Sequence, residues 1–138
     1  MDIMKNKVER HLKSHKKHGK PVLFLLIDSE NFKTSKDVEK MAKGLVKACK
    51  KMTAAPAILV GGSSATDQIE MNNVVKIIKK ITRLDTILFP GNITGVVPKA
   101  DAILFSSLMN SENPYYITQA QALGAPLVRK FNLEALPT

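Results

Sequence analysis

Residues 22–31 read VLFLLIDSEN, where six apolar side chains from Val22 to Ile27 are followed at once by a carboxylate, Asp28. A continuous apolar run of this length is typical of a strand buried on both faces, and such strands belong to parallel sheets. Three more short runs of the same kind follow along the chain, at residues 57–60, 86–89 and 102–105. The pattern therefore predicts a parallel β-sheet.

Amphipathic segments between these runs predict crossover helices. Apolar residues recur at the i, i+3, i+4 spacing over residues 38–49 and again over residues 71–81. Candidate N-cap residues precede both segments: Thr34 or Ser35, and Thr66 or Asp67. The alternation of strand and helix predicts an α/β fold with right-handed crossovers.

The third connection breaks this regularity. Only residues 91–100 separate the third run from the fourth, which is too short for a regular crossover helix, so we expect that helix to be missing or reduced. Asn113 and Pro114 then predict a helix start, with Gly124 as its end. Residues 125–138 fit either a strand at 126–128 or a further helical turn. At 138 residues the chain fits a small doubly wound domain or about half of a (βα)8 barrel.

Charge and cysteine content narrow the possible functions. The formal net charge is +9, and residues 1–20 contribute +5 of it, so we expect these residues to form a basic, helical N-terminal arm before a body at residues 21–138. Such an excess suggests an anionic partner. The single cysteine, Cys49, excludes an internal disulfide, which favours an intracellular, cytoplasmic protein. His11 and His15 are spaced for a metal, but the surrounding lysines disfavour one.

Small and polar residues follow each predicted strand, where chemistry gathers in parallel α/β folds. Asp28 either binds Mg²⁺ or caps the next turn through a backbone N–H. Gly61 and Gly62 lead into a helix N-terminus, which favours an anion, although neither a P-loop nor a dinucleotide fingerprint is present. A tight turn with an N-cap is the competing interpretation.

Five stretches, in order, resemble the geranylgeranylglyceryl phosphate synthase family and its heptaprenylglyceryl relatives. They are LLIDSEN at 25–31, ILVGGSS at 58–64, ILFPGN at 87–92, ADAILFSSLMNS at 100–111 and NPYYI at 113–117. The resemblance implies a TIM-barrel-type (βα)8 fold, of which this chain covers about the first four βα units, with the third helix reduced or absent. It also favours the helical interpretation of residues 126–131.

The resemblance further implies a reaction, a cofactor and site residues. The reaction is Mg²⁺-dependent transfer of a prenyl group from geranylgeranyl diphosphate to the sn-3 hydroxyl of sn-glycerol-1-phosphate, the first ether bond of archaeal-type lipids. Asp28 and Ser63 match the metal ligands, and Gly61, Gly62, Asn92 and Ser106 are candidates for the wall of the diphosphate and prenyl groove.

Two departures from the family limit this expectation. Strand one continues as Asp-Ser-Glu-Asn, where the family has Asp-Pro, an acidic residue and Lys. The acceptor-binding segments and the catalytic acid/base residue are expected beyond Thr138, where the fifth strand should begin. We therefore expect a donor half-site, self-association through exposed strand edges, and peripheral membrane contact without nucleic-acid binding.

Two other functions remain open on the sequence alone. One is a non-enzymatic basic module that binds nucleic acid or acidic lipid through the N-terminal arm. The other is a small doubly wound domain that binds a nucleotide or flavin phosphate at residues 61–66. A prenyltransferase needs both Asp28 and Ser63, whereas the basic module needs neither.

Overall fold

A computed structural model of the chain describes residues 6–62 and 67–137. Within those residues the strands form one sheet: β1 Val22–Asp28, β2 Ala55–Gly61, β3 Thr86–Leu88, β4 Ala102–Ile103 and β5 Glu134–Ala135. The helices are α1 Lys7–Lys17, α2 Ser35–Cys49, α3 Gln68–Thr82 and α4 Ala120–Lys130, and the π-helical turn Tyr115–Gln119 leads into α4.

The sheet follows the order of the chain. Its strand order is β1-β2-β3-β4-β5, and every neighbouring pair is parallel. A doubly wound domain reverses its strand order at a switch point, and this sheet has no reversal among the described strands. The order excludes the doubly wound alternative and is that of consecutive strands in a barrel.

Packing on the two faces of the sheet is unequal. The larger apolar cluster joins one face to α2, α3 and α4, with Val38, Val75 and Ile103 almost fully buried in it. A smaller cluster on the other face includes Val8 of α1. Helix α1 is fixed there by β5, because both Glu134 carboxylate oxygens accept backbone N–H groups of Val8 and Glu9, each at 2.8 Å.

Local sequence accounts for the main helices. Thr34 and Asp37 form a capping box at the start of α2, in which each side chain accepts the other residue's backbone N–H. Asp67 caps α3 by accepting the N–H of Ile69 at 2.7 Å. Between β3 and β4 the chain makes only the 3₁₀ turn Ile93–Gly95. The expected reduction of the third helix is therefore present in the described structure.

The predicted end of the last helix was wrong. Helix α4 continues through Gly124 and Pro126 to Lys130. Gly124 is buried against the ring of Phe105, and a Cβ atom there would lie 2.4 Å from Phe105 Cε1. The glycine therefore permits close packing and does not terminate the helix.

The fifth strand also begins earlier than expected. Residues 134–135 pair in parallel with β4, so this strand starts before Thr138. Its register is set by the backbone, since Glu134 N–H donates to Asp101 O at 3.1 Å and Leu136 N–H to Ile103 O at 3.0 Å. The chain therefore includes four strand units and the first residues of a fifth.

The first apolar run is buried on only one face. Ile27 packs under the helices, whereas the alternate residues Phe24 and Leu26 are 43% and 63% exposed. Phe89, which follows β3, is 41% exposed. We call this open surface, defined by Phe24, Leu26 and Phe89, the inner face. β1 is also an edge strand, because within the described sheet it pairs with β2 alone.

Candidate functional site

A cavity of about 310 Å³ lies at the carboxyl ends of the strands. Most of its lining is apolar or small, with one carboxylate. The lining residues are Leu26, Asp28, Gly61, Gly62, Phe89, Pro90, Gly91, Phe105, Ser106, Leu108, Tyr116, Ala120 and Gln121. Four residues predicted from the sequence, Asp28, Gly61, Gly62 and Ser106, therefore lie together on its wall.

Asp28 is the last residue of β1 and has two possible roles in this position. Its Oδ1 accepts the Glu30 backbone N–H at 3.0 Å, which caps the 3₁₀ turn Ser29–Asn31. Oδ2 accepts no hydrogen bond from the described part of the chain. The capping interpretation is thus correct for one oxygen, and the other oxygen remains available to a ligand.

Gly61 lies directly opposite Asp28 in the parallel register of β1 and β2. It is buried, and a Cβ atom there would lie 2.8 Å from the carbonyl oxygen of Phe89. That contact is shorter than van der Waals packing allows. Glycine is therefore required for β2 to approach the end of β3 beside the carboxylate.

The connection from β4 to α4 forms another part of the cavity wall. Gln121 Nε2 donates to the carbonyl oxygen of Ser106 at 2.8 Å, so α4 holds the chain just after β4. Leu108 N–H donates to Tyr116 O at 3.0 Å, which folds the loop back onto the π-helical turn. These two bonds bring residues eight and fifteen positions apart in the chain onto one surface.

The other two predicted site residues are not on this wall. Ser63 lies outside the described residues, so its expected role as a metal ligand has no structural account. Asn92 does not line the cavity. Its Oδ1 accepts the backbone N–H of Thr94 at 2.9 Å and the hydroxyl of the same residue, and so caps the Ile93–Gly95 turn. The Asn92 side chain therefore stabilises the short 3₁₀ turn that connects β3 to β4.

Sequence reasoning missed several cavity residues: Phe105, Leu108, Tyr116, Ala120 and Gln121. Tyr116 and Ala120 are four residues apart, a spacing that places residues on one helical face, and Gln121 directly follows Ala120. That spacing could have identified them, but only if the helical turn was known to begin at Tyr115. Leu108 carried no such periodic pattern because it lies in a loop.

A second cavity, of about 750 Å³, adjoins the first. Phe105 and Gln121 line both, so the two cavities share a wall. Ile103, Ala125 and Val128 continue the apolar lining between β4 and α4. At the other end the cavity reaches Asp101 and Arg129, at the amino ends of the strands. The two cavities therefore meet at Phe105 and Gln121, and the lining of the larger one is mixed apolar and charged.

The oxygen ligands at the cavity suit a magnesium ion whose other ligands are water and substrate phosphates. No group of three or more His, Cys, Asp or Glu side chains that could hold a metal occurs in residues 6–62 and 67–137. Mg²⁺ typically uses one or two protein carboxylates and takes its other ligands from water and substrate phosphates. One carboxylate with an unbonded oxygen, beside two glycines in an apolar cavity, fits this pattern.

The histidines of α1 have other partners. His11 Nδ1 contacts a carboxylate oxygen of Asp85, and His15 Nε2 lies 2.9 Å from His11 Nε2. The pair thus joins α1 to the chain just before β3. Within the described part of the chain, no helix has the length and apolarity needed to cross a membrane.

A family model matches residues 14–138, and that family is described as the PcrB family. The chain belongs to the PcrB family. Two curated relatives are both named geranylgeranylglyceryl phosphate synthase. The protein from Nitrosopumilus maritimus is 63% identical over 96% of this chain and 51% of its own length. The protein from Cenarchaeum symbiosum is 61% identical over 95% of this chain and 51% of its own length.

Solved structures extend the family comparison to the fold. Wild-type GGGPS from Thermoplasma volcanium matches with a TM-score of 0.78 and 31% identity, over 99% of this chain and 50% of that one. The synthase from Thermoplasma acidophilum, solved in complex with its substrate sn-glycerol-1-phosphate, matches with a TM-score of 0.77 and 29% identity, over 99% and 51%. The TIM-barrel-type fold class of this PcrB chain is thereby confirmed. The chain spans about half the length of the relatives it matches.

Proposed function

We propose that this chain provides the donor side of a geranylgeranylglyceryl phosphate synthase, a cytoplasmic prenyltransferase in peripheral contact with the membrane. The donor is geranylgeranyl diphosphate and the acceptor is the sn-3 hydroxyl of sn-glycerol-1-phosphate. One observation carries the proposal: in a PcrB family chain, a carboxylate with an unbonded oxygen, Asp28, stands on the wall of an apolar cavity at the carboxyl edge of the sheet.

The cavity residues match the two parts of such a donor. The apolar side chains Leu26, Phe89 and Phe105 suit contact with a prenyl chain. The second cavity meets the first at Phe105 and Gln121, and its apolar residues Ile103, Ala125 and Val128 lie between β4 and α4, where we propose that a long chain extends. Gly62 adds partly exposed backbone to the cavity wall, in the segment of the chain that leads to α3, and a helix N-terminus favours an anion.

Asp28, together with Ser63, is the proposed holder of a magnesium ion. When bound, the ion neutralises negative charge on a departing diphosphate. In the overall transfer the allylic C–O bond breaks, diphosphate keeps the electron pair, and the acceptor oxygen bonds to the carbon as its proton leaves to a base. That base is expected beyond Thr138, so this chain is proposed to bind the donor without completing the reaction alone.

The proposed function is tested by calorimetric titration of geranylgeranyl diphosphate into the 138-residue chain, with and without Mg²⁺. We expect Mg²⁺-dependent binding of the diphosphate. Geranylgeraniol, which has the same chain and no diphosphate, is the matched ligand control and should bind without Mg²⁺ dependence. Titration of sn-glycerol-1-phosphate into the same cell should then give no heat of binding.

Circular dichroism on the same sample establishes that it is folded. Absence of diphosphate binding by a folded sample would contradict the donor-site proposal. Equal affinity for the diphosphate with and without Mg²⁺ would contradict the role of Asp28 while leaving the apolar cavity as a prenyl site.

The inner face also predicts self-association of the 138-residue chain. Exposed Phe24 and Leu26 beside an unpaired strand edge favour burial against another molecule. Multi-angle light scattering should show a dimer or larger species, and Phe24→Ser with Leu26→Ser should shift it towards monomer. Ile69→Ser with Leu123→Ser, at residues 71% and 58% exposed elsewhere, is the control. A folded monomeric parent chain would refute this expectation.

A further inference from the structure

The parallel topology gathers four chain segments at one end of the fold. Each of α1, α2, α3 and α4 precedes a strand of the parallel sheet, so each helix ends near the amino end of the strand that follows it. Helix C-termini carry a partial negative charge, which favours basic side chains there. This end is opposite the cavity that contains Asp28.

Exposed lysines accumulate at the ends of the first two helices. Lys16 and Lys17 are in the last turn of α1, and Lys20 follows just before β1. Lys50 and Lys51 follow α2. All five side chains are exposed, and β1 and β2 are neighbours, so these cations share one surface.

Five more exposed cations extend that surface. Lys80 and Arg83 lie at the end of α3, Lys99 lies just before β4, and Arg129 and Lys130 form the end of α4. With the five above they make ten exposed cations, which we call the basic end. Lys20, Lys51 and Lys99 are outside the helices, so the helix dipole accounts for only part of this accumulation.

The carboxylates at the basic end are engaged inside the protein. Asp101 accepts from Lys79 Nζ at 2.6 Å and from the Thr86 backbone N–H at 3.1 Å. Asp85 contacts His11, and Glu134 holds the first turn of α1. The Asp101 and Asp85 side chains are only 18% and 14% exposed. Glu9 also lies near this end, and its carboxylate is paired with Lys13 Nζ at 2.5 Å. Among the described residues, the surface formed by the ten cations is therefore predominantly positive.

The acidic residues are concentrated at the opposite end. At the carboxyl ends of the strands and the first turns of the helices lie Asp28, Glu30, Asp37, Asp67, Glu70 and Glu112. The charge of the molecule is therefore segregated from one end to the other. Because the exposed cations outnumber the carboxylates only at the basic end, that end is the one that attracts an extended anionic surface.

The composition of the basic end favours a lipid surface over a nucleic acid. Eight of its ten cations are lysines, which act as point charges, whereas arginine is the residue that reads phosphates and bases bidentately. The aromatic residue at this end, Phe131, is partly buried on the core and is not available to stack on bases. The larger cavity, whose lining includes the apolar residues Ile103 and Val128, also reaches this end, at Arg129.

We propose that the basic end docks the protein on an anionic lipid bilayer. Clustered lysines bind such a surface through its negative potential, and the attraction weakens as salt rises. Docking in this orientation places the larger cavity, which ends at Arg129, next to the bilayer. The inference goes beyond donor binding, and its test has a separate readout.

Co-sedimentation of the 138-residue chain with vesicles tests the proposal. We expect binding to phosphatidylcholine vesicles that contain about one third phosphatidylglycerol, and little binding to pure phosphatidylcholine. The variant Lys20→Glu, Lys50→Glu, Lys51→Glu should reduce the partition coefficient at least tenfold. Raising the ionic strength should release the parent chain.

The matched control reverses three exposed lysines away from the basic end: Lys36→Glu, Lys40→Glu, Lys76→Glu. Both variants lower the formal net charge from +9 to +3, because each reversal removes two units. The control should bind the anionic vesicles within about twofold of the parent chain.

Three other outcomes would overturn the docking proposal, and a fourth would contradict only the proposed function. Equal losses in the two variants would mean that net charge, not this surface, governs binding. Equal binding to neutral vesicles would assign the contact to the exposed inner face. Tighter binding to single-stranded RNA than to anionic vesicles at the same salt would assign the surface to nucleic acid. Loss of donor binding with vesicle binding intact would contradict the proposed function alone.

Discussion

Asp28→Asn is expected to remove the Mg²⁺-dependent part of geranylgeranyl diphosphate binding, with an affinity loss of about thirtyfold or more. Asparagine keeps an oxygen that accepts the Glu30 N–H, so the turn after β1 stays capped. It lacks the second carboxylate oxygen and the charge that would hold the ion. Calorimetric titration with and without Mg²⁺ measures the change.

Two further variants distinguish the proposed metal-binding role of Asp28 from its capping of the turn after β1. Asp28→Ala should lose the same Mg²⁺-dependent binding and, in addition, about 1 kcal/mol of stability from the lost cap. Glu30→Gln removes a carboxylate from the same turn at a residue that does not line the cavity, and should leave binding unchanged. Unchanged affinity in Asp28→Asn would show that Asp28 only caps the turn.

Gly61→Ala should lower the free energy of unfolding by about 2 kcal/mol. The new methyl group would meet the Phe89 carbonyl at 2.8 Å, and that atom is backbone, so β2 and β3 must move apart. The same movement would displace the wall of the Asp28 cavity. Thermal unfolding followed by circular dichroism should show a melting temperature lower by about 5–10 °C.

Gly44→Ala is the control for this substitution. Gly44 lies inside α2, and a Cβ atom there meets nothing within 4 Å. Alanine in an exposed helix interior should raise the free energy of unfolding by about 0.5–1 kcal/mol. Opposite signs for the two variants would establish that close packing, not glycine's flexibility, requires Gly61. A neutral Gly61→Ala would show that the strands separate without cost.

Patterns of apolar residues were sufficient for the main elements. The runs at 22–27 and 57–60 became β1 and β2 with one or two added residues at their ends. The burial on both faces that such a run predicts was wrong for β1, where Phe24 and Leu26 are exposed. The stripes at 38–49 and 71–81 became α2 and α3. The short third connection indicated the missing helix because ten residues cannot form a full crossover.

Local signals failed where a distant contact determined the outcome. Glycine commonly ends a helix, yet Gly124 lies inside α4. Glycine is needed at this position because the ring of Phe105 occupies the space that a side chain would need. Asn92 follows a strand as a site residue would, yet its side chain caps a 3₁₀ turn. In both cases the residue type has two uses, and only its neighbours in space decide between them.

For the site, the sequence by itself determined that Asp28 and Gly61 end adjacent parallel strands and so lie side by side. It also determined the excess of lysine, though not its arrangement. Only the tertiary structure brought Tyr116 and Gln121 to the same cavity, left the inner face open, and collected ten cations at one end. The physical reason is that strand and helix patterns report local burial, whereas cavities and charged surfaces arise from residues that are distant in the chain and meet only after it folds.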